Sequence, residues 1–190
     1  MHPRTAELVE HLDRQHRLLH DAIANTPDAR LDAKPAPDRW SVAEVLEHLS
    51  IVETNLAAAF RKRLDEARAE GFAALPPDAP SVLASFPLAR ILDRQQRIEA
   101  SNAARPKGLM AARTALAAYD SARAAFRDQL IAVDGLDVDH VTVPHRIFGN
   151  FNVYQWAAFT GGHEARHTGQ IVENLEVRSQ KPEVRTARLV

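Results

Sequence analysis

The chain contains no cysteine. Disulfides, iron–sulfur clusters, thiolate zinc sites and a cysteine nucleophile are therefore excluded, and any metal must sit on nitrogen and oxygen donors. An excess of charge is also missing: 24 Lys and Arg against 25 Asp and Glu leave a formal charge of −1. With no strongly basic patch, neither nucleic acid nor an anionic membrane is an expected partner. No apolar run approaches the roughly 20 residues that a membrane helix needs. Met1-His2-Pro3-Arg4 leads into charged residues and not into an apolar stretch. No signal peptide is read there, and a cytoplasmic protein is expected. Strand signals are scarce as well, with only a short extended run at Val141 to Val143, and there is no internal repeat.

What is present is helical periodicity. At 190 residues and 45% hydrophobic, the chain suffices for one domain with a real core. The boundaries expected are 1–176 for the domain and 177–190 for a polar tail. A first helix spans about Arg4 to Ala24, with Leu8, Leu12, Leu19 and Ile23 on one stripe and Gln15 and His16 in phase. A second opens at Ser41, an N-cap whose partner Glu44 completes a capping box. Its buried face reads Val42, Val45, Leu46, Leu49, Val52 and Leu56, and Gly71 is its natural stop. Residues 72–108 are broken by Pro76, Pro77, Pro80, Pro87 and Pro106 and read as a long connection, with a short helix between Leu88 and Glu99. A third helix is predicted over Leu109 to Ile131, anchored by Leu116, Tyr119, Phe126 and Leu130. A loop then runs to Asn150. Asn152 and Gln155 form a second capping box that starts the fourth helix. The predicted fold is an all-α four-helix bundle with a long crossover between its second and third helices.

The fourth helix carries His163-Glu164-Ala165-Arg166-His167. Histidines four residues apart lie one above the other on a helix face, with Cβ atoms about 5–6 Å apart, so both rings reach one metal ion. Trp156 and Phe159 precede them on the same face, which marks it as buried. Two core imidazoles without a partner are costly, which favours a ligand. His48 lies on the inner side of the second helix, in phase with Val45 and Val52. Bundles build metal sites from inward side chains on facing helices. His48, His163 and His167 thus form a three-histidine set, the donor number of an open catalytic zinc site. Nitrogen-rich donors favour zinc or nickel over manganese. Around this set, Glu44, Asn55, Gln170 and His16 are candidate pocket residues, Gln170 as the group that orients a ligand. Gly161-Gly162, costly within a helix, calls for a close helix approach or a kink.

The same pentapeptide reads as H-E-x-x-H, in which Glu164 would be a protease general base. That reading lacks a downstream ligand off the helix and a cleft strand. In the bundle Glu164 points off the histidine face, toward a salt bridge. His16 and His20 form another four-residue pair, read as a polar helix end where a cation suits the dipole. His140 and His145 fall in a loop, at the surface or at the pocket mouth. Trp40 and Trp156 read as core anchors, and Arg61-Lys62-Arg63 as a solvated face.

Trp40-Ser-Val-Ala-Glu-Val-Leu-Glu-His48-Leu, followed by Trp156 and then His163-Glu-Ala-Arg-His167-Thr-Gly-Gln170-Ile, resembles the DinB-like (YfiT-like) metalloenzymes. The likeness covers roughly Leu8 to Asn174. It implies a four-helix bundle in which His48, His163 and His167 bind a divalent metal such as zinc or nickel. It also implies chemistry on a small-molecule substrate by a thiol-dependent S-transferase, an isomerase or a hydrolase. With no cysteine here, the thiol would be a low-molecular-weight cosubstrate. A homodimer is expected, since such bundles commonly pair. Two rivals stay open: a non-catalytic metal-binding or stress-associated bundle, and an interaction bundle without metal.

Overall fold

The computed structural model describes residues 1–96 and 98–179. Helix α1 (Pro3–Ile23) is followed by a single helical turn and more, α2 (Asp28–Asp32), then α3 (Val42–Ala67). Two short helices, α4 (Val82–Ser85) and α5 (Leu88–Leu92), interrupt the connection to α6 (Ala112–Ala132). Strands β1 (Thr142–His145) and β2 (Gly149–Asn152) precede α7 (Val153–Ser179). The fold is all-α, as expected, with one small two-stranded sheet. Among the described residues no helix is long and apolar enough to cross a membrane. Of the tail expected at 177–190, positions 180–190 lie outside the described residues.

Local chemistry sets the helix starts. The Ser41 hydroxyl accepts from the Glu44 N–H at 3.1 Å while the Ser41 N–H donates to the Glu44 carboxylate at 2.8 Å. Asn152 and Gln155 repeat the device at the head of α7, at 2.8 and 3.1 Å.

Helix α3 packs along α6, and α1 along α7. The core divides into two apolar clusters, and the order in which each helix meets them gives its direction. Leu12 of α1 belongs to the first cluster and Leu19 to the second, as do Phe159 and Ile171 of α7. The other pair runs the opposite way: Leu49 then Leu56 on α3, Tyr119 then Phe126 on α6. Neighbours α3 and α6 are thus parallel, so the chain between them must return to its starting end. That requirement explains the long crossover.

Each long helix places buried polar residues between the two clusters: Gln15 on α1, Glu53 on α3, Arg123 on α6, Glu164 and His167 on α7. A polar layer therefore crosses the bundle at one level. The crossover wraps back over this level. Leu75 and Asp137 pin its start through a bridge, Leu75 N–H to Gly135 O and Asp137 N–H to Ala73 O, both 2.8 Å. Ile91 is buried farther along it.

Several sequence expectations shift. The helix placed between Leu88 and Glu99 ends at Leu92, and the third long helix begins at Ala112, whose N–H donates to Asp32 Oδ1 at 2.7 Å. The extended run at Val141 to Val143 is one arm of a hairpin that pairs Val143 with Phe151 and His145 with Gly149. Gly149 turns it at a φ of 84°. Gly161 and Gly162 serve close packing: a Cβ at Gly162 would fall 2.8 Å from Leu88 Cδ2.

Candidate metal centre

His48 projects from α3, and His163 and His167 project from successive turns of α7. His163 Nε2 lies 3.3 Å from His48 Nε2 and 3.1 Å from His167 Nε2. The outer nitrogens of two rings are already committed. His48 Nδ1 is 2.7 Å from Ala104 O, and His167 Nδ1 is 2.9 Å from Gln170 Oε1. An oxygen acceptor at Nδ1 places the ring proton there and leaves Nε2 as a lone pair. Two lone pairs therefore face His163 Nε2, which has at most one proton to offer. Three imidazole nitrogens converging this way fit a cation better than any proton arrangement. In a tetrahedral site with nitrogens about 2.05 Å from the ion, donor atoms stand about 3.3 Å apart, close to the spacing seen here.

Protonation is disfavoured throughout the set. Burial lowers His48, pushes His167 down to about 3, and holds His163 well below the ordinary imidazole range, where its histidine neighbours add to the effect. The rings are therefore neutral, the form that donates to metal. His48 and His167 are buried, whereas His163 is only partly so.

That open side faces a cleft of about 860 Å³. Trp40, Phe148, Trp156 and Phe159 give it an aromatic wall. Trp40 packs on His48 with ring centres 5.1 Å apart, and Phe159 stacks on His163 at 5.5 Å. The tryptophans are thus cleft walls as well as anchors. Arg39, Arg94, Arg105, Arg146 and Arg166 line the same cleft, against Asp38 and Glu99. Glu173 pairs with Arg94 and lies 3.9 Å from Arg39, so the arginines outnumber the acids around the cleft by a smaller margin than the lining alone gives. Arg166 is also a strut: its guanidinium holds Ile91 O, Asp93 O and Gln96 O, tying the crossover to α7.

His145 also lines the cleft. Its Nδ1 accepts the N–H groups of Ile147 and Phe148 at 3.1 and 3.2 Å. The ring proton must then sit on Nε2. Burial among aromatic rings, helped by Arg146, pushes this histidine down to about 4. It is a neutral N–H donor at neutral pH. The sequence placed His145 in a loop, at the surface or at the pocket mouth; its place in the cleft fits the second, while the hairpin turn that locks its tautomer has no local signature.

Glu164 has no exposure and pairs with Arg123 at 2.9 Å and with His16 Nδ1 at 2.9 Å. A carboxylate so engaged is not a general base beside the histidines, and the protease reading fails on that contact. Arg123 also donates to the Tyr119 hydroxyl at 2.6 Å and stands 3.2 Å from Glu53. Two buried carboxylates thus share one guanidinium. Burial pushes Glu53 up to about 7 despite Arg123.

The remaining candidates divide. Gln170 lines the cleft and holds His167. Glu44 closes the α3 cap and pairs with Lys34 at 2.8 Å, and Asn55 is exposed; neither lines the cleft. His16 reaches the polar layer through Glu164 and is likewise not a cleft residue. Glu44 and Asn55 share His48's side of α3 but lie one and two turns from it along the axis, and the cleft follows the α3–α7 side and not the length of α3.

Comparison with known proteins adds lineage. The DinB superfamily model matches residues 11–171. The uncharacterized protein YuaE of Bacillus subtilis (strain 168) is similar, 26% identical over 151 residues, which is 78% of this chain and 85% of that protein. No solved structure matches.

Proposed function

The chain belongs to the DinB superfamily, and on that footing we propose that it is a metal-dependent enzyme acting on an anionic small molecule, with His48, His163 and His167 holding a divalent ion, zinc or nickel. The observation that supports it is the convergence of three Nε2 atoms at 3.1 and 3.3 Å with two Nδ1 atoms pinned from behind. When bound, such an ion supplies a Lewis acid that lowers the pKa of a coordinated thiol or water. The chain has no thiol of its own, so a thiol-dependent S-transfer or isomerisation would use a low-molecular-weight thiol; a hydrolase would use water.

The protein's residues have separable tasks in this reading. Ala104 O and Gln170 Oε1 orient two of the rings and keep their Nε2 atoms deprotonated. The aromatic wall excludes bulk water, which strengthens every electrostatic contact inside. The arginines draw in a negatively charged electrophile. His145 Nε2–H, with no protein partner among the described residues, offers a hydrogen bond to oxygen charge that develops on it. A purely structural metal would be closed by a fourth protein ligand; the opening of His163 to a cleft of about 860 Å³ supports catalysis over that alternative.

The test is a screen of low-molecular-weight thiols with carboxylated electrophiles, using metal-loaded and chelator-stripped protein beside His163→Ala. Thiol-dependent turnover that disappears in both controls is expected. Turnover that survives metal removal would refute the mechanism.

A further inference from the structure

We propose a second divalent-cation site, built from His16 and His20 of α1 and Asp120 of α6. It does not rest on the three-histidine reading. Like His163 and His167, these two histidines are one helical turn apart. Both of their Nε2 atoms approach the same oxygen, Asp120 Oδ1, at 3.2 Å from His16 and 2.9 Å from His20. All three donor atoms lie within 4.8 Å of one another. A helical pair plus one ligand from the neighbouring helix is the arrangement of the first site, with a carboxylate in place of the third imidazole.

The second observation is behind His16. Its Nδ1 stands 2.9 Å from Glu164 Oε1, and Glu164 has no exposure. Arg123 holds the other oxygen of that carboxylate at 2.9 Å, so it cannot turn away. A carboxylate on Nδ1 fixes the ring proton there and directs the Nε2 lone pair outward, the support that metal-binding histidines commonly receive. Here the lone pair meets a carboxylate oxygen at 3.2 Å. Two electron-rich atoms at that distance repel unless positive charge joins them. A second proton on His16 would do so; so would a cation that takes all three donors at once. The pairs seen, 3.2 and 2.9 Å, are near the roughly 3.3 Å edge of a tetrahedral nitrogen and oxygen site.

The side chains are 23%, 40% and 39% exposed for His16, His20 and Asp120. Ions therefore have direct access from solvent, and water can complete the coordination. Two imidazoles and a carboxylate suit zinc, nickel or cobalt and not calcium. The rings of His16 and the buried Tyr119 pack edge to face with their centres 5.5 Å apart, so one side of the site is closed by the core.

The experiment is a zinc titration of untagged, chelator-stripped protein at pH 7.5 against a chromophoric competitor. Wild type is expected to take two equivalents. His20→Ala and Asp120→Asn are each expected to take one, with unchanged helical melting by circular dichroism. His163→Ala should also take one, and the His20→Ala/His163→Ala double variant none. If His20→Ala and Asp120→Asn bind as much zinc as wild type, His16 is held by protons alone and the proposal is overturned. One equivalent in wild type that is lost in His20→Ala but kept in His163→Ala would instead sustain this site and refute the three-histidine one.

Discussion

Gly161 of α7 lies so close to His11 of α1 that a Cβ there would fall 2.2 Å from the ring's Nε2. His11 is buried, and that nitrogen has no hydrogen-bond partner among the described residues. The contact brings α1 against the helix that carries His163 and His167, two residues before the first of them. Alanine is ordinarily the better helix former by about 1 kcal/mol. Overpacking a full core costs about 1–3 kcal/mol, so Gly161→Ala is expected to destabilise. In a His11→Ala background the clash is gone, and the same substitution should stabilise by up to about 1 kcal/mol. Chemical denaturation of the four proteins measures the change of sign; additive effects would show that the contact is not what holds the glycine in place.

Gln170 acts on the candidate centre through His167. Gln170→Ala should raise the zinc dissociation constant about 10- to 100-fold, the usual cost of losing a group that orients a ligand. The metal-free protein should keep its stability, because Gln170 is partly exposed and its hydrogen bond is to the ring alone. Competition titration reads the first effect and thermal melting the second.

Arg123 balances Glu53 and Glu164 in the polar layer. Arg123→Met leaves both carboxylates buried without their guanidinium. Breaking a buried pair in this way costs about 3–5 kcal/mol. Adding Glu53→Gln to Arg123→Met should recover part of the loss, which urea midpoints at neutral pH will show. Equal midpoints for the single and double variants would mean that Glu53 costs the fold nothing once Arg123 is gone.

Glu53 also gives the stability a pH dependence of known sign. Its carboxyl is pushed up to about 7 in the fold, from an ordinary value of 4.5. Below 4.5 the folded and unfolded chains both hold the proton. Between 4.5 and 7 only the unfolded chain releases it, so stability falls as pH rises through that window. Glu53→Gln has no proton to release. Wild type should therefore lose up to about 3 kcal/mol relative to this variant between pH 4 and pH 8. Parallel profiles would show that Arg123 keeps Glu53 ionised.

Much of this was legible in the sequence because its signals are local. Both capping boxes, the apolar stripes and the His163/His167 pair depend on residues three or four apart, and helix geometry brings those together without help. His48 could be joined to them because a bundle has few inward faces. Gln170 followed from the same spacing. What escaped depends on distant partners. Glu53 lies beside Val52 on a helix whose apolar stripe read as the inner face, yet Glu53 is buried and Val52 only partly, since Arg123 lies opposite it. Of the hairpin only one arm was legible, at Val141 to Val143, because Pro144 and Gly149 depress strand signals, and here they occupy an edge and a turn. Helix α2 is too short to show a period; it forms because Leu31 is buried in the second cluster. His16 and His20 read as a polar helix end because Asp120, which meets them both, stands a hundred residues on.

Metal content decides most directly whether the three converging histidines are a metal centre. Inductively coupled plasma mass spectrometry on untagged protein, purified without added metal, would be run beside His48→Ala and His163→Ala. Zinc or nickel at about one equivalent or more in wild type, reduced by one equivalent in each variant, is the expected result. Wild type that carries no such metal, and takes up none on titration, would contradict the metal centre and the chemistry built on it.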